Sequence, residues 1–427
     1  MEKVTAVSGD YVEVHLTRLI YEGILLEAPE NEKGIILLKL DSGYNIGFNR
    51  KDILKIITLR KSKEKKEEIE IKKDNSKPNI AFIITGGTIA SRLDSKTGGV
   101  KPLQNPEDLF KFYPELFNKV NISKVEIPFM KASEDMDSKD WQKIAKKTVE
   151  LLNDTNIQGI VITHGTDTLH YTASALSFFI RNLNKPIALT YSQRSSDRAS
   201  SDANLNLQCA SLVAISDIAE VSLVGHASSS DDFCYVLPGT KSRKLHSSKR
   251  EAFKVVNSKP FAKVFLDKIE RISEYNIRNK GKAKLDDKFE EKVALIKIYP
   301  GQEPDILDYY FKKGYKGIVL EMTGLGHCPT KKARNSWLLK LKEIQAKGVV
   351  VCATTQCIFG KVDPLVYSTG RDLLATGVIY LEDMLSETAL VKLGWVLGHA
   401  DWKKDKKLVK EKMLENISGE LNNRIEL

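Results

Sequence analysis

The sequence has no apolar run near the ~18 residues that a membrane-spanning helix needs, so we expect no membrane segment. Its first ten residues mix charged and apolar side chains and lack the apolar segment of a signal peptide. Only five cysteines occur among 427 residues, and no two of them form a C-x-x-C pair. This usage argues against a disulfide framework and against a cysteine-based zinc site. We therefore expect reduced thiols in a cytoplasmic protein.

Several catalytic motifs are also missing. There is no H-E-x-x-H, and the seven histidines show no metal-ligand spacing, so we expect no metal site in this chain. No G-x-x-x-x-G-K-[ST] occurs, and no G-x-G-x-x-G follows a predicted strand, which excludes the common phosphate loops. The absence of G-x-S-x-G argues against a serine enzyme of the α/β-hydrolase type.

The chain does carry an excess of positive charge. Lysine and arginine number 66 against 56 acidic residues, which gives a net charge of +10 and a pI near 9.0. A basic balance favours contact with nucleic acid. The lysines are widely scattered, however, so we expect such contact within a larger assembly rather than by this chain alone.

The first 60 residues predict a small all-β barrel. Residues 11–16 alternate apolar and polar side chains, as a half-buried strand does. Four further short runs follow, and glycine, asparagine and aspartate separate them, as turns require. Five short strands with tight turns are typical of a small barrel, which binds RNA or peptide or docks onto a neighbouring domain. The five predicted strands are residues 11–16, 21–27, 34–40, 44–48 and 53–59.

From residue 79 the pattern is α/β. Continuous apolar runs rich in valine, isoleucine and leucine alternate with amphipathic segments at 141–152 and 172–183, which predicts a parallel sheet with crossover helices. A polar segment then separates a larger α/β domain from a smaller one. The predicted strands are residues 80–84, 159–163, 187–191, 221–224, 293–298, 317–320 and 349–353. The predicted domains are a barrel (1–60), a charged linker (61–78), an α/β domain with the active site (79–271), a connecting segment (272–292) and a C-terminal α/β domain (293–427).

Two short segments carry the chemistry. Thr85-Gly-Gly-Thr88 follows the first predicted strand of the α/β part, and His164-Gly-Thr-Asp-Thr168 follows the second. Ligands of open parallel sheets bind beyond the carboxyl ends of strands, so both segments would place hydroxyls at that edge. The glycines would allow backbone N–H groups to approach a ligand and stabilise an oxyanion. Each segment alone is compatible with an ordinary capped turn, but the two together favour a catalytic site.

A threonine hydroxyl is a weak nucleophile that needs an adjacent base. Thr166 and Asp167 supply a hydroxyl and a carboxylate, and an amine must come from elsewhere. The segment Gly239-Thr-Lys-Ser-Arg-Lys-Leu-His246 offers Lys241, Arg243 and Lys244. The sequence alone does not choose among these three cations.

These segments resemble the signatures of the bacterial-type asparaginase/glutaminase family. Thr85-Gly-Gly-Thr-Ile-Ala90 is similar to the first signature, and Thr163-His-Gly-Thr-Asp-Thr168 to the second. Lys244 lies nine residues before Phe253, as the catalytic lysine of that family does before its own phenylalanine. The resemblance covers residues 79–427 and implies an asparaginase-like two-domain parallel-sheet core. It implies that Thr88 attacks the side-chain amide, with Thr166, Lys244 and Asp167 as the supporting triad.

The same resemblance implies a substrate site. Ala132-Ser-Glu-Asp-Met136, followed by Trp141, is similar to the loop that holds the substrate carboxylate. Ser133 and Glu134 would then fix the α-carboxylate and amine, and Asp167 would also bind the amine. Backbone N–H groups at Gly87 and Thr166 would hold the oxyanion. The tyrosine that many free asparaginases carry after the first signature has no counterpart in residues 92–100.

A closer resemblance is to the family of D subunits of archaeal glutamyl-tRNA(Gln) amidotransferases. It rests on the extra N-terminal barrel and on Ser192-Gln-Arg-Ser-Ser-Asp197, Gly324-Leu-Gly-His327 and residues 366–374. It implies a glutaminase that forms a homodimer within a heterotetramer and passes ammonia to the E subunit of the amidotransferase. That partner would bind Glu-tRNA(Gln), ATP and Mg²⁺, and this chain would hold no cofactor. The alternatives are a free asparaginase/glutaminase with an appended barrel and a non-enzymatic RNA-binding protein.

Overall fold

We describe the protein from a computed structural model. It describes residues 6–26, 34–41, 45–61, 74–93, 100–102, 109–195 and 201–424. Most of the predicted linker at 61–78, most of residues 92–100 and the end of the Ser192–Asp197 motif lie outside these ranges.

The N-terminal unit is a five-stranded antiparallel sheet in the order β4-β3-β2-β1-β5. The five strands predicted there are confirmed within two residues at each end. They are β1 (Tyr11–His15), β2 (Ile20–Leu26), β3 (Ile35–Lys39), β4 (Asn45–Asn49) and β5 (Lys55–Arg60).

One apolar cluster holds this sheet together. Val12 and Val14 alternate with polar neighbours on β1 and point into the cluster, as the two-residue period of a strand requires. Phe48 from one edge strand and Ile56 from the other belong to the same cluster. The two edges therefore curve toward a shared core, as in a barrel-like sheet, and the pairing register slips between Tyr11 and Val12.

The rest of the chain alternates strands and helices. The strands are β6 (Asn79–Ile84), β7 (Ser91–Leu93), β8 (Val100–Pro102), β9 (Asn121–Glu126), β10 (Ile160–Thr163), β11 (Ile180–Arg181), β12 (Ile187–Thr190), β13 (Val221–His226), β14 (Cys234–Pro238), β15 (Ser242–Lys244), β16 (Phe253–Val255), β17 (Ala262–Val264), β18 (Ile269–Arg271), β19 (Lys284–Leu285), β20 (Val293–Lys297), β21 (Gly317–Met322), β22 (Val350–Thr355) and β23 (Ile379–Tyr380). The helices are α1 (Leu109–Phe112), α2 (Ser138–Leu152), α3 (Leu169–Phe179), α4 (Ala203–Ile215), α5 (Ile306–Lys312), α6 (Leu338–Ala346), α7 (Ser368–Leu374), α8 (Ser386–Gly398) and α9 (Lys406–Leu414).

The larger sheet has the order β18-β17-β14-β13-β12-β10-β6-β9. Its strands from β13 to β9 are parallel, as predicted, and β10 is buried along its whole length. Ile162 and its neighbours on one face pack against α2 and α3, whereas Val161 and its neighbours on the other face pack against α4. The antiparallel strands β14, β17 and β18 extend the sheet, and the sequence did not predict them.

The smaller sheet is parallel, with the order β20-β21-β22-β23. Helices α3 and α8 join it to the larger sheet. Ser174 Oγ lies 3.0 Å from Thr388 Oγ1, and the rings of Phe178 and Trp395 stack with their centroids 5.8 Å apart. The two α/β units therefore share one packed boundary, to which both helices contribute.

One predicted helix ends earlier than expected. The segment predicted at 172–183 is α3, which ends at Phe179 and begins at Leu169. Ile180 and Arg181 instead pair with β19, which lies in the predicted connecting segment. Asn182 then adopts a left-handed backbone with φ of 55°. The long-range pairing with β19 overrides the helical pattern at this position.

Two further expectations concern membranes and thiols. Across the described ranges, no helix combines the length and the apolarity that crossing a bilayer demands. All five cysteines are free thiols, and Cys357 alone among them is exposed.

Candidate active site

The two threonine segments meet at the carboxyl edge of the larger sheet. Strands β6 and β10 are parallel neighbours, and Ile84 pairs with Thr163 at their ends. The chain leaves both strands at the same level, so Thr85-Gly-Gly-Thr88 and His164-Gly-Thr-Asp-Thr168 emerge side by side. The Thr85 hydroxyl donates to the Thr163 carbonyl at 2.9 Å and joins the two segments.

Glycine is required where the two segments touch. A Cβ atom on Gly87 would lie 2.5 Å from the backbone of Gly165, a distance that side chains do not tolerate, and the φ of Gly87 is +80°. Thr88 directly follows Gly87, and Thr166 directly follows Gly165. Both threonines are half-buried. The two loops that contain Thr88 and Thr166 therefore lie side by side at one edge of the sheet.

Lys244 completes this group. Its Nζ donates to Thr166 Oγ1 at 2.8 Å and to Asp167 Oδ1 at 2.6 Å. The lysine side chain is 11% exposed and that of Asp167 is 60% exposed. The amine is thus enclosed, whereas the carboxylate is open to a ligand. Thr166, Asp167 and Lys244 form one connected set.

The other two cations of the segment point elsewhere. Lys241 is fully buried and forms an ion pair with Asp383 at 2.7 Å. Arg243 Nε lies 3.0 Å from Glu387 Oε1. The choice among Lys241, Arg243 and Lys244, which the sequence left open, is therefore resolved by geometry in favour of Lys244.

A short hairpin delivers Lys244 to this place. Strands β15 and β16 pair so that Lys244 lies opposite Phe253. Phe253 is buried and contacts the rings of Tyr191 and His170, with centroids 4.8 and 6.1 Å away. The spacing of nine residues between lysine and phenylalanine thus corresponds to a cross-strand pair whose aromatic member anchors the hairpin in the core.

The predicted substrate loop lies directly against the second threonine segment. The buried Ser133 accepts a hydrogen bond through its Oγ from the Asp167 backbone N–H at 3.1 Å, and its carbonyl accepts from Thr168 Oγ1 at 2.6 Å. A Cβ on Gly165 would lie 2.8 Å from Ser133 Oγ. Glu134 belongs to the same short helical turn, and its side chain is exposed.

Helix α2 fixes the far end of this loop. The Asp137 side chain accepts from the backbone N–H groups of Lys139 and Asp140, and Asp140 accepts in return from Asp137, which forms a capping box. Lys131 at the start of the loop donates to the buried Asp140 at 2.6 Å. The segment from Lys131 to Asp137 is therefore held at both ends against the Thr166 loop.

Family models match three successive parts of the chain. A family model described as "Asparaginase, N-terminal" matches residues 79–276, and one described as "Glutaminase/Asparaginase C-terminal domain" matches residues 292–412. A third, "GatD N-terminal domain", matches residues 6–59. The glutamyl-tRNA(Gln) amidotransferase D subunit of Pyrococcus furiosus is 47% identical over 97% of this chain and 94% of its own length. That of Methanothermobacter thermautotrophicus is 43% identical over 99% and 96%.

The chain belongs to the family of glutamyl-tRNA(Gln) amidotransferase D subunits. Solved structures agree on the fold of its α/β part. The L-asparaginase of Thermococcus kodakarensis superposes with a TM-score of 0.70 at 31% identity and covers 81% of this chain and 99% of its own. L-asparaginase I of Vibrio cholerae gives 0.69 at 30% identity over the same shares. Membership of the D-subunit family thus accounts for both the asparaginase-like core and the additional N-terminal sheet.

Two histidines beside the candidate active site are neutral. Burial lowers the pKa of His164 to about 4, and its Nε2 lies 2.8 Å from Thr172 Oγ1. Burial, with Arg243 and Lys244 nearby, lowers the pKa of His170 to about 3. Neither ring is in the doubly protonated, positively charged form near pH 7. Within the described part of the chain, no three His, Cys, Asp or Glu side chains group closely enough to hold a metal ion.

The low pKa of His170 predicts a loss of stability in acid. The unfolded chain takes up a proton at this histidine below about pH 6.5, whereas the folded chain does so only near pH 3. The stabilising contribution is therefore complete above pH 6.5 and is lost as the pH falls. Between pH 7.5 and pH 5 we expect the wild type to lose about 2 kcal/mol more unfolding free energy than His170→Leu loses.

Urea denaturation of the wild type and of His170→Leu at the two pH values measures this difference. The prediction would be contradicted if the unfolding free energy of His170→Leu and that of the wild type fell by the same amount between the two pH values.

His327 ends the Gly324-Leu-Gly-His327 motif of the D-subunit resemblance, where a hydrogen-bonded structural histidine is one interpretation of the sequence. The structure does not support that interpretation. Both ring nitrogens are buried, and neither forms a hydrogen bond within the described residues. The ring packs edge-on against Tyr367, with the centroids 5.5 Å apart.

Proposed function

We propose that this chain is the glutaminase component of a tRNA-dependent amidotransferase. It hydrolyses glutamine and supplies ammonia to a partner of the E-subunit type, which converts Glu-tRNA(Gln) to Gln-tRNA(Gln). The observation that carries the proposal is the enclosed Lys244, bonded to both Thr166 and Asp167 beside the contact of Gly87 with Gly165. Amidotransferase D subunits at 42–48% identity over nearly the whole chain support the assignment to this reaction.

The reaction follows from the groups present. Thr88 Oγ1 forms a bond to the side-chain amide carbon, and the C–N bond breaks. The leaving nitrogen gains a proton and departs as ammonia. Water then cleaves the acyl-threonine ester, which yields glutamate and restores the Thr88 hydroxyl. Thr166 and Lys244 accept and return the protons, and Asp167 orients the amine by its 2.6 Å hydrogen bond.

The substrate groups have matching partners. Asp167 is open to a ligand on one side while it holds Lys244 on the other, so we propose that it also binds the α-ammonium of glutamine. We assign the α-carboxylate to the loop of Ser133 and Glu134, which lies against Gly165. The backbone N–H groups of Gly87 and Thr166 are proposed to stabilise the oxyanion.

We propose that the chain forms a homodimer within a heterotetramer in the cytoplasm. Five large apolar side chains between Ile358 and Tyr367 are each more than 40% exposed, and the Tyr367 ring packs edge-on against the unbonded ring of His327. A patch of this kind indicates contact with another protein surface. ATP and Mg²⁺ are assigned to the tRNA-binding partner. The five residues are Ile358, Phe359, Leu365, Val366 and Tyr367.

A kinetic comparison tests the function. The full chain is assayed for ammonia release from L-glutamine and from L-asparagine, alone and with the E-type partner, ATP and Glu-tRNA(Gln). We expect glutamine hydrolysis that rises about tenfold or more when the partner and the charged tRNA are present. The second candidate, a free asparaginase, is favoured by the similarity to two L-asparaginase structures. Full activity of the isolated chain with a preference for asparagine would select it.

A further inference from the structure

The strand that carries Lys244 is held from two sides. Strand β15 contains only Ser242, Arg243 and Lys244, and side chains of successive strand residues point to opposite faces. On one face Lys244 reaches Thr166 and Asp167. On the other face Arg243 reaches the smaller α/β unit. A displacement of Arg243 would therefore move the adjacent catalytic lysine.

The contacts of Arg243 lie at the boundary of the two sheets. Its Nε is 3.0 Å from Glu387 Oε1, in the first turn of α8, and its Nη2 is 3.8 Å from Glu321 Oε1, on β21. The two carboxylate side chains are less than 10% exposed, and that of Arg243 is 24% exposed. Lys297 Nζ, 3.6 Å from Glu321, adds a second cation. The guanidinium thus spans two elements of the smaller unit.

Buried ion pairs of this kind resist separation. Removing one partner leaves an uncompensated charge in a poorly solvated place, which is strongly unfavourable. Burial raises the pKa of Glu387, and Arg243 opposes that rise. A guanidinium can hold two carboxylates at once because its donors form a rigid planar fork. The pairing therefore fixes the distance between β15 and the smaller unit.

We propose that Arg243 is a positioning residue for the hydrolytic reaction. By binding Glu387 and Glu321 it holds β15 so that Lys244 stays within hydrogen-bond distance of Thr166. The smaller α/β unit thereby takes part in a reaction that occurs at the edge of the larger sheet. This inference rests on the proposed amide hydrolysis.

The test compares arginine-to-methionine substitutions at two positions, Arg243 and the control position Arg278. In the complex with the E-type partner, Arg243→Met is expected to lower kcat for glutamine about 10- to 100-fold, because small displacements of catalytic groups have effects of this size. KM is expected to stay within about twofold, since Arg243 contacts none of the proposed substrate-binding residues. Arg243→Lys keeps the charge and can hold one carboxylate, so it should recover part of kcat.

Arg278→Met is the matched control. Arg278 also joins distant segments, since Nη2 donates to the Ala214 carbonyl at 2.9 Å and the other nitrogens donate to the carbonyls of Ser216 and Gln158. It lies outside β15 and its partners. We expect a similar loss of unfolding free energy with kcat within about twofold of wild type. Equal losses of kcat in both methionine variants would overturn the proposal.

A second readout separates this inference from the proposed function. Backbone amides of Ser242–Lys244 are followed by hydrogen–deuterium exchange in the full chain. Arg243→Met should accelerate their exchange, and Arg278→Met should not. If the wild type fails to hydrolyse glutamine, the proposed function falls, whereas the exchange result still decides whether Arg243 holds β15. Unchanged exchange in Arg243→Met would refute that role.

Discussion

Lys244→Met is expected to reduce glutamine hydrolysis by about a thousandfold or more, which is the range for loss of a general acid–base group. Methionine fills a similar volume but cannot donate to Thr166 or Asp167, which Lys244 contacts at 2.8 and 2.6 Å. The Thr166 hydroxyl then has no base, and the Asp167 carboxylate loses its hydrogen-bond donor. We expect the decrease mainly in kcat, because Lys244 acts on the reacting hydroxyl and not on the substrate termini.

The same hairpin supplies the control for this experiment. Lys254 lies on β16 opposite Arg243, and its Nζ donates to the Ala227 carbonyl at 3.1 Å. Lys254→Met removes the same charge from the same hairpin and should retain kcat within about threefold, as substitutions away from reacting groups do. Ammonia release is measured for both variants together with their thermal unfolding. A Lys244→Met enzyme that keeps more than a tenth of wild-type kcat would exclude Lys244 as the base.

The sequence predicts the edge of the sheet well because the relevant signals are local. A parallel strand buried on both faces needs continuous apolar residues, and the run before His164 has them. The run predicted at 159–163 is a strand at Ile160–Thr163, so the predicted and observed strands end at the same residue before Thr166. Glycines at 87 and 165 mark the places where backbones approach each other.

Other features could not be predicted because their partners are distant in sequence. Lys241, Arg243 and Lys244 are equivalent in composition, and only Asp383, Glu387 and Asp167 decide where each points. These acids lie between 77 and 144 residues away, counted along the chain. No periodicity within the segment carries that information.

Short strands are a second source of missed structure. Strands β15, β16, β17 and β18 have three residues each, which is too few to show an alternating pattern. Their pairing depends on partner strands that lie outside each three-residue run. The family resemblance identified Lys244, but the hairpin that presents it could not be derived from the residues alone.

Thr88→Ala is expected to reduce the rate of amide hydrolysis to about one thousandth of the wild-type rate or less, since it removes the proposed nucleophile. Thr88 directly follows Gly87, whose backbone contact with Gly165 holds the loop independently of the Thr88 side chain. The fold should therefore stay intact. Thr88→Ser retains a hydroxyl and should restore a large part of the rate.

Trapping the covalent intermediate decides which threonine attacks. Thr166→Val keeps the Thr88 hydroxyl but removes the group that Lys244 bonds at 2.8 Å, so we expect any acyl-enzyme formed by this variant to persist. Mass spectrometry of the denatured protein should then find the γ-glutamyl group on the peptide that contains Thr88. Thr163→Val is the matched control, because within the described chain its buried Oγ1 has no hydrogen-bond partner, and it should retain activity. A γ-glutamyl group found on Thr166 of the Thr88→Ala protein would contradict this assignment. Thr166, whose hydroxyl Lys244 contacts, would then be the nucleophile, and Thr88 would have the supporting role.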